Sequence, residues 1–333
     1  MHPPITIALA SYNGARFIRE QLDSFAAQSV TNWQLIVSDD GSTDGTQRIV
    51  QDFARSRPPG QVRLIEGPRQ GSTRNFLHLA QQADCKGWLA FSDQDDVWHP
   101  DRLARGVEFL SHQRGAAIYA GRTTVCDEQL KPLAPSPHFH GPFRFRNALI
   151  QACLPGNTIL ANHFAVELLQ AAAPAAIAAG VVSHDWWAYQ LLSGAGAAIM
   201  RDRAQVLLYR QHPDNMVGRN DTTRAIASRL SMLFGGSYAG WLARNQAALV
   251  PVAHLLLQEN AALLQRFGKV LNAPGPLALH EVLAMRLYRQ TRKGTAVVLA
   301  AALMGRLRDR GGMKAASPTG PASGPGYPSN RDR

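Results

Sequence analysis

The sequence predicts an α/β fold: a Rossmann-like, mostly parallel sheet with helices on both faces, followed by a helical C-terminal region. Three observations predict it. Short apolar runs alternate with amphipathic segments through the first part of the 333-residue chain. A polar, turn-forming cluster closes nearly every run. Beyond residue 222 the apolar spacing becomes helical. Strands and helices that alternate with short connections favour parallel pairing through right-handed crossovers.

The elements follow in order. Residues 5–10 (ITIALA) read as a buried strand, and residues 16–28 carry Phe17, Ile18, Leu22 and Phe25 at helical spacing. Residues 33–38 (WQLIVS) form a second strand, with Ser42 or Thr43 capping a helix to about Arg55. Residues 62–66 (VRLIE) form a third, and Ser72 caps a helix over 73–82. Residues 88–92 (WLAFS) form a fourth, and Pro100 suits the first turn of a helix reaching Leu110. Residues 116–125 form a fifth strand. Then the pattern loosens: 132–142 reads as loop, 156–161 as strand, 164–172 and 183–193 as helix, and 205–210 as strand. Helices are expected at 222–234, 238–267 (broken at Pro251), 277–292 and 295–308. The Gly-, Pro- and Ser-rich segment 311–333 reads as a disordered tail. The expected division is therefore 1–221, made of a nucleotide-binding half (1–125) and an acceptor half (126–221), then 222–310 and 311–333.

Composition narrows the class. Hydrophobic residues make up 45%, enough for a sizeable core. Cys85, Cys126 and Cys153 have neither metal-ligand nor disulfide-framework spacing and read as reduced thiols of a cytosolic protein. The N-terminus lacks the basic and long apolar regions of a signal peptide, and no run approaches the length of a spanning helix. The formal net charge is +11, but residues 269–333 hold 11 Lys and Arg against 3 Asp and Glu, which is +8 of it. A basic, partly apolar C-terminal region suits peripheral contact with an anionic membrane, or is a solvated helix face. No nucleic-acid reader motif is present, so nucleic acid is not an expected partner.

Ligands of such sheets bind beyond the carboxyl ends of the strands, and there the polar clusters fall. Ser11, Tyr12 and Asn13 follow the first strand, Asp39 and Asp40 the second, residues 67–71 the third, and Asp93, Gln94, Asp95 and Asp96 the fourth. Carboxylates crowded at a buried strand end raise one another's pKa unless a cation lies between them. Asp93 and Asp95 alternate onto one side of an extended segment and suit Mg²⁺ or Mn²⁺, with diphosphate oxygens and water completing the shell. The alternative is a solvated acidic patch at a helix N-terminus.

SYN (11–13), SDDGSTDGT (38–46), RQGSTRN (69–75) and SDQDDVW (92–98) occur in the order and spacing of family-2 glycosyltransferases, which have the GT-A fold. HDWW (184–187) and YRQHPDNMVG (209–218) resemble the rhamnosyltransferase-like bacterial branch of that family. The resemblance implies that Ser11, Tyr12 and Asn13 lie beside the nucleotide and that Asp39 or Asp40 contacts base or ribose. It implies that Gly71, Arg74 and Asn75 close over the nucleotide, with Arg74 near the acidic cluster. Asp93 and Asp95 become the Asp-X-Asp pair on the metal, with Gln94, Asp96 and Trp98 completing the donor pocket. Arg210 and His212 close on the diphosphate, and His212 joins the metal set. Asp185 becomes the catalytic base, Trp186 and Trp187 walls for sugar rings, and Gly156 and Asn157 part of the acceptor site. Without the resemblance, Asp185 equally caps a helix whose tryptophans are core.

The expected activity is inverting transfer of a sugar, rhamnose from dTDP-rhamnose first and a UDP-hexose second, to a surface polysaccharide or lipid-linked glycan. The expected location is the cytosol or the inner membrane face. An aspartyl-phosphate phosphatase would use Asp93 and Asp95 differently, but it needs a later lysine and acidic pair that do not stand out. A nucleotide-sugar-binding protein without catalysis would not need Asp185.

Overall fold

The computed structural model describes residues 2–212 and 235–309. The helix expected at 222–234, the motif residues 213–218 and the tail 311–333 lie outside the described residues.

The strands are β1 (Ile5–Ser11), β2 (Trp33–Asp39), β3 (Val62–Glu66), β4 (Trp88–Ser92), β5 (Val97–Trp98), β6 (Ala117–Cys126), β7 (Pro132–Pro135), β8 (Leu160–Ala161) and β9 (Ala198–Arg210). They form one nine-stranded sheet in the order β3-β2-β1-β4-β8-β6-β9-β5, with β7 on β6. The first four strands pair in parallel, as their helical crossovers require. Antiparallel β8 then joins β4 to β6. β2 and β3 lie on one side of β1 and β4 on the other, so the chain reverses its direction of travel between β1 and β4. The carboxyl ends of those two strands therefore flank a crevice.

Alternation along β1 builds two cores. Ile5, Ile7 and Leu9 pack with Ile18, Leu22, Phe25, Val50, Phe53 and Leu103 of the helices α1 (Ile18–Ala26), α2 (Thr46–Arg55) and α4 (Arg102–Leu110). Ala8 belongs to the other face, with α3 (Ser72–Gln82), α5 (Phe145–Ala148), α6 (His163–Ala179) and α7 (His184–Gly194). This second core runs without interruption into α8 (Ser237–Leu249), α9 (Gln258–Asn272), α10 (Gly275–Ala284) and α11 (Arg292–Leu303). Leu242, Leu264, Phe267, Val282 and Val298 are all buried in it.

Several boundaries differ from expectation for local reasons. α2 begins after Gly45 (φ 95°), because the Ser42 hydroxyl is taken by Asp39 and the Thr43 N–H by Asn13. Gly71 (φ 87°), not Ser72, precedes α3. α4 starts at Arg102, past Pro100. α6 continues through Pro174 to a left-handed Gly180. Residues 132–135, expected as loop, pair with β6, and 156–158 are a 3₁₀ turn ahead of the short β8. The break at Pro251 is a 3₁₀ segment between α8 and α9.

Candidate active site

Parallel pairing brings Ser11, Asp39 and Asp93 to one rim, since Leu9 lies opposite Ser92 and Ser11 opposite Asp39. Asp39 is 4% exposed and accepts from Ser11 Oγ (2.9 Å), Ser42 N (2.8 Å) and Oγ (2.6 Å), Gln47 Nε2 (2.7 Å) and, at 3.3 Å, Gly41 N. Burial opposes its charge, but these donors hold its pKa below the usual carboxylate value. Asp40 accepts from the N–H groups of Arg69 (2.6 Å) and Gly71 (2.8 Å), fixing the loop after β3. Asp39 therefore frames the turn, and Asp40 ties the second and third rim loops together.

Tyr12 is half exposed, and its N–H and C=O are bridged by the Gln94 amide at 2.9 and 3.0 Å. Gly14 permits this, because a Cβ there would lie 2.2 Å from Gln94 Oε1. Gln94 thus locks the loop after β4 to the loop after β1. Asn13 (φ 47°) donates its N–H to Ser42 Oγ and accepts from Thr43 N, closing the first two rim loops on each other.

Asp93 differs from these. It is half-buried, and no hydrogen-bond donor among the described residues reaches its carboxyl. Burial, then the charges of Asp95 and Asp185, push its pKa up to about 7. Asp95 Oδ2 lies 2.8 Å from His212 Nε2. Among the described residues no three His, Cys, Asp or Glu side chains converge to hold an ion alone. Asp93, Asp95 and His212 are therefore not a preformed three-ligand cage, and external oxygens would have to complete any metal shell.

Asp185 caps the start of α7 together with Ser183. Its carboxylate accepts from Gly156 N (3.0 Å), Trp186 N (2.7 Å) and the Ser183 hydroxyl. Gly156 is required here, because a Cβ would lie 2.7 Å from His184 Nε2. His184 stacks on Phe76 at 4.0 Å, and burial lowers its pKa to about 4. The Thr73 hydroxyl donates to Val182 O at 2.9 Å, anchoring the segment before α7 to α3.

Seven expected site residues make other contacts, and an eighth, Arg74, makes none with the acidic cluster among the described residues. Trp186 and Trp187 are 5% and 1% exposed and belong to the core, with Trp186 Nε1 donating to Ala148 O at 2.7 Å, so they are not walls for sugar rings. Trp98 is core as well, edge-on to Phe25 at 4.6 Å. Asp96 is fully buried and accepts from Asn157 Nδ2 at 2.6 Å, and burial with the charges of Asp95 and Asp93 raises its pKa. Asn157 therefore supports the acidic loop from beneath. Asn75 is buried and donates to Ser38 O at 2.8 Å. Arg210 is buried, with Nε on Asp95 O (2.9 Å), one Nη on Glu128 O (2.5 Å) and the other on Glu20 (2.6 Å), so it braces the acidic loop. Arg74 is half-buried, and no hydrogen bond or ion pair joins it to the acidic cluster among the described residues.

Sequence reading missed Glu20, Phe17 and Ser183. Phe17 carries the Arg210 guanidinium at 4.5 Å and the His212 ring at 4.9 Å. Ser183 had a legible signal, a serine directly before a helical run.

The fold aligns with that of a mannosyltransferase from Pyrobaculum calidifontis solved in complex with GDP-Man and Mn²⁺. The TM-score is 0.52 at 18% identity, covering 93% of this chain and 88% of that one. Fold and rim together define a glycosyltransferase of the GT-A fold. Residues 6–169 match the model of glycosyl transferase family 2 and form a domain of that family. It is 27% identical over 231 residues to the dTDP-rhamnosyl transferase RfbG of Shigella flexneri, covering 68% of this chain and 78% of that protein. It is 30% identical over 141 residues to the putative glycosyltransferase EpsE of Bacillus subtilis, covering 40% of this chain and half of that one. No helix among the described residues is long and apolar enough to cross a membrane.

Proposed function

We propose that the chain transfers rhamnose from dTDP-rhamnose to a surface polysaccharide or lipid-linked glycan, with inversion at the anomeric carbon. The observation that carries this reading is the pairing of an uncompensated carboxylate, Asp93, with a held carboxylate, Asp185, close enough to raise its pKa. The likeness to a dTDP-rhamnosyl transferase supports the donor.

The residues fit a divalent cation. Asp93 lacks a protein donor and sits against Asp95, a combination that a cation would relieve. Asp93 and Asp95 would hold Mg²⁺ or Mn²⁺, with His212 fixing Asp95. The ion would supply neutralisation of diphosphate charge as the glycosidic bond breaks. Ser11, Tyr12 and Asn13 line the nucleotide side of the crevice, and Arg74 is free to reach an incoming phosphate. Asp185 takes the proton of the acceptor hydroxyl while the Gly156 N–H holds its other oxygen in place. The new bond forms on the face opposite the departing nucleoside diphosphate, so no covalent intermediate is needed.

Leu277, Leu283, Leu303 and Met304 are about half exposed on and beside α10 and α11. Arg286, Arg292, Lys293, Arg306 and Arg308 stand exposed around them. This pattern supports peripheral contact with an anionic membrane face.

A donor screen tests the reading. dTDP-rhamnose should bind by calorimetry with Mg²⁺ or Mn²⁺ and be outcompeted by none of the common UDP-sugars. Preference for a UDP-hexose would move the donor assignment. Absence of binding by every sugar nucleotide with either ion would overturn the function.

A further inference from the structure

A second buried charge takes no part in the donor rim. Arg201 stands on β9 opposite Ala120 of β6 and is 7% exposed. Its Nε and one Nη are buried without a hydrogen-bond partner, and it makes no ion pair among the described residues. A buried charge without a counter-charge is strongly unfavourable.

The surroundings do not neutralise it. Burial pushes the Cys153 thiol up to about 12, so it stays neutral. Burial also raises Tyr119, whose hydroxyl donates to Asp202 at 2.8 Å. Asp202 is further engaged by Ala204 N and by Arg105 at 3.6 Å. More positive groups gather instead. Arg122, on β6, donates Nε to Ser136 O at 2.8 Å. His138, two residues beyond, lies edge-on to His140 at 4.7 Å, with its Nδ1 shielded and unpartnered. His140, Arg201, Arg122 and Arg203 all bear on His138 and, after burial, lower its proton affinity.

The position is informative. Leu160 of β8 faces both Ala90 and Tyr119, and Tyr119 faces Met200, so Arg201 stands one rung on from Ala90, toward the acidic loop. Arg201 also bears on Cys153, three residues before the Gly156 N–H that holds Asp185. We propose that Arg201, with Arg122 and His138, is an anion subsite for a phosphate or diphosphate carried by the acceptor. The planar guanidinium offers two parallel donors that match phosphate oxygens. This assignment rests on the proposed function, because it names the acceptor's chemical class.

The test uses the full chain carrying Asp95→Asn, which disables the donor rim without touching Arg201. Inorganic pyrophosphate should bind it saturably and raise its melting temperature. Adding Arg201→Gln should weaken that binding at least tenfold, while the ligand-free melting temperature stays level or rises as an unpaired charge is removed. Arg122→Gln, farther out, should weaken binding by a smaller factor and covers the case in which Arg201→Gln fails to fold. A short prenyl diphosphate binding more tightly than pyrophosphate would assign the anion to a lipid carrier, and equal affinity would assign it to a soluble phosphate-bearing glycan. No pyrophosphate uptake by the Asp95→Asn chain, or equal uptake with and without Arg201, would overturn the subsite. Donor binding by the unmodified chain is measured separately, so failure of the donor reading is distinguishable from failure of this one.

Discussion

His212 Nε2 lies 2.8 Å from Asp95 Oδ2, so the end of β9 closes directly on the acidic loop that follows β4. The two groups are 117 residues apart in sequence and meet because β9 pairs with both β6 and β5. His212→Ala should free the Asp95 carboxylate to rotate. Groups that orient a metal ligand are worth roughly 10–100-fold in metal affinity. Calorimetry of Mn²⁺ with the donor nucleotide should show a loss in that range, and an unchanged affinity would make the contact incidental.

Asp185→Asn retains the size of the side chain and its contact with Gly156 but removes the proton acceptor. Transfer should fall by about 10²–10⁴-fold, the usual contribution of general base catalysis. Donor affinity should change little. Parallel loss of donor binding would place Asp185 in the donor pocket instead.

Gly156→Ala would drive a methyl group to 2.7 Å from His184 Nε2 and 3.3 Å from Asp185 Cβ. Crowding of this kind costs roughly 1–3 kcal/mol, readable by denaturant unfolding. The displaced Asp185 should lower kcat more than it raises the donor KM.

His184 contributes to acid sensitivity. Its folded pKa, lowered to about 4 chiefly by burial, lies below the ordinary histidine value of 6.5. The unfolded chain therefore takes up a proton first, and the stability held above pH 6.5 is lost as pH falls from 6.5 toward 4. The contribution is at most about 3 kcal/mol, from the width of that window. His184→Phe should flatten the melting temperature between pH 7 and 4.5 relative to the parent chain.

Leu277→Asp combined with Leu303→Asp should abolish sedimentation with vesicles rich in phosphatidylglycerol. Retention should also fall with added salt, since each basic residue near an anionic surface contributes about 1 kcal/mol at low ionic strength. Binding that ignores both changes would exclude this surface as the contact.

Much of the fold was legible because the first four strands are apolar runs closed by polar turns, and each run has one helix behind it. Their rim followed from the parallel pairing alone. The tryptophans were not legible. An aspartate followed by aromatic residues reads the same whether the rings line a cleft or fill a core, and only the packing around α7 decides it. Arg210 was legible as a strand end, but its contacts with Glu20 and Phe17 were not, because those residues lie nearly two hundred residues earlier. Arg201 carried no signal, since nothing local marks a strand arginine as buried. The two-residue strands β5 and β8 are too short for any periodicity and exist through their neighbours.

The helices α8–α11 share one apolar mass with the sheet rather than resting on it. Exchanging these helices for a foreign set should therefore uncover apolar surface of the shared core and destabilise the sheet as well. For the engineer, the same constraint favours grafting individual residues onto the existing helices over swapping the whole C-terminal third.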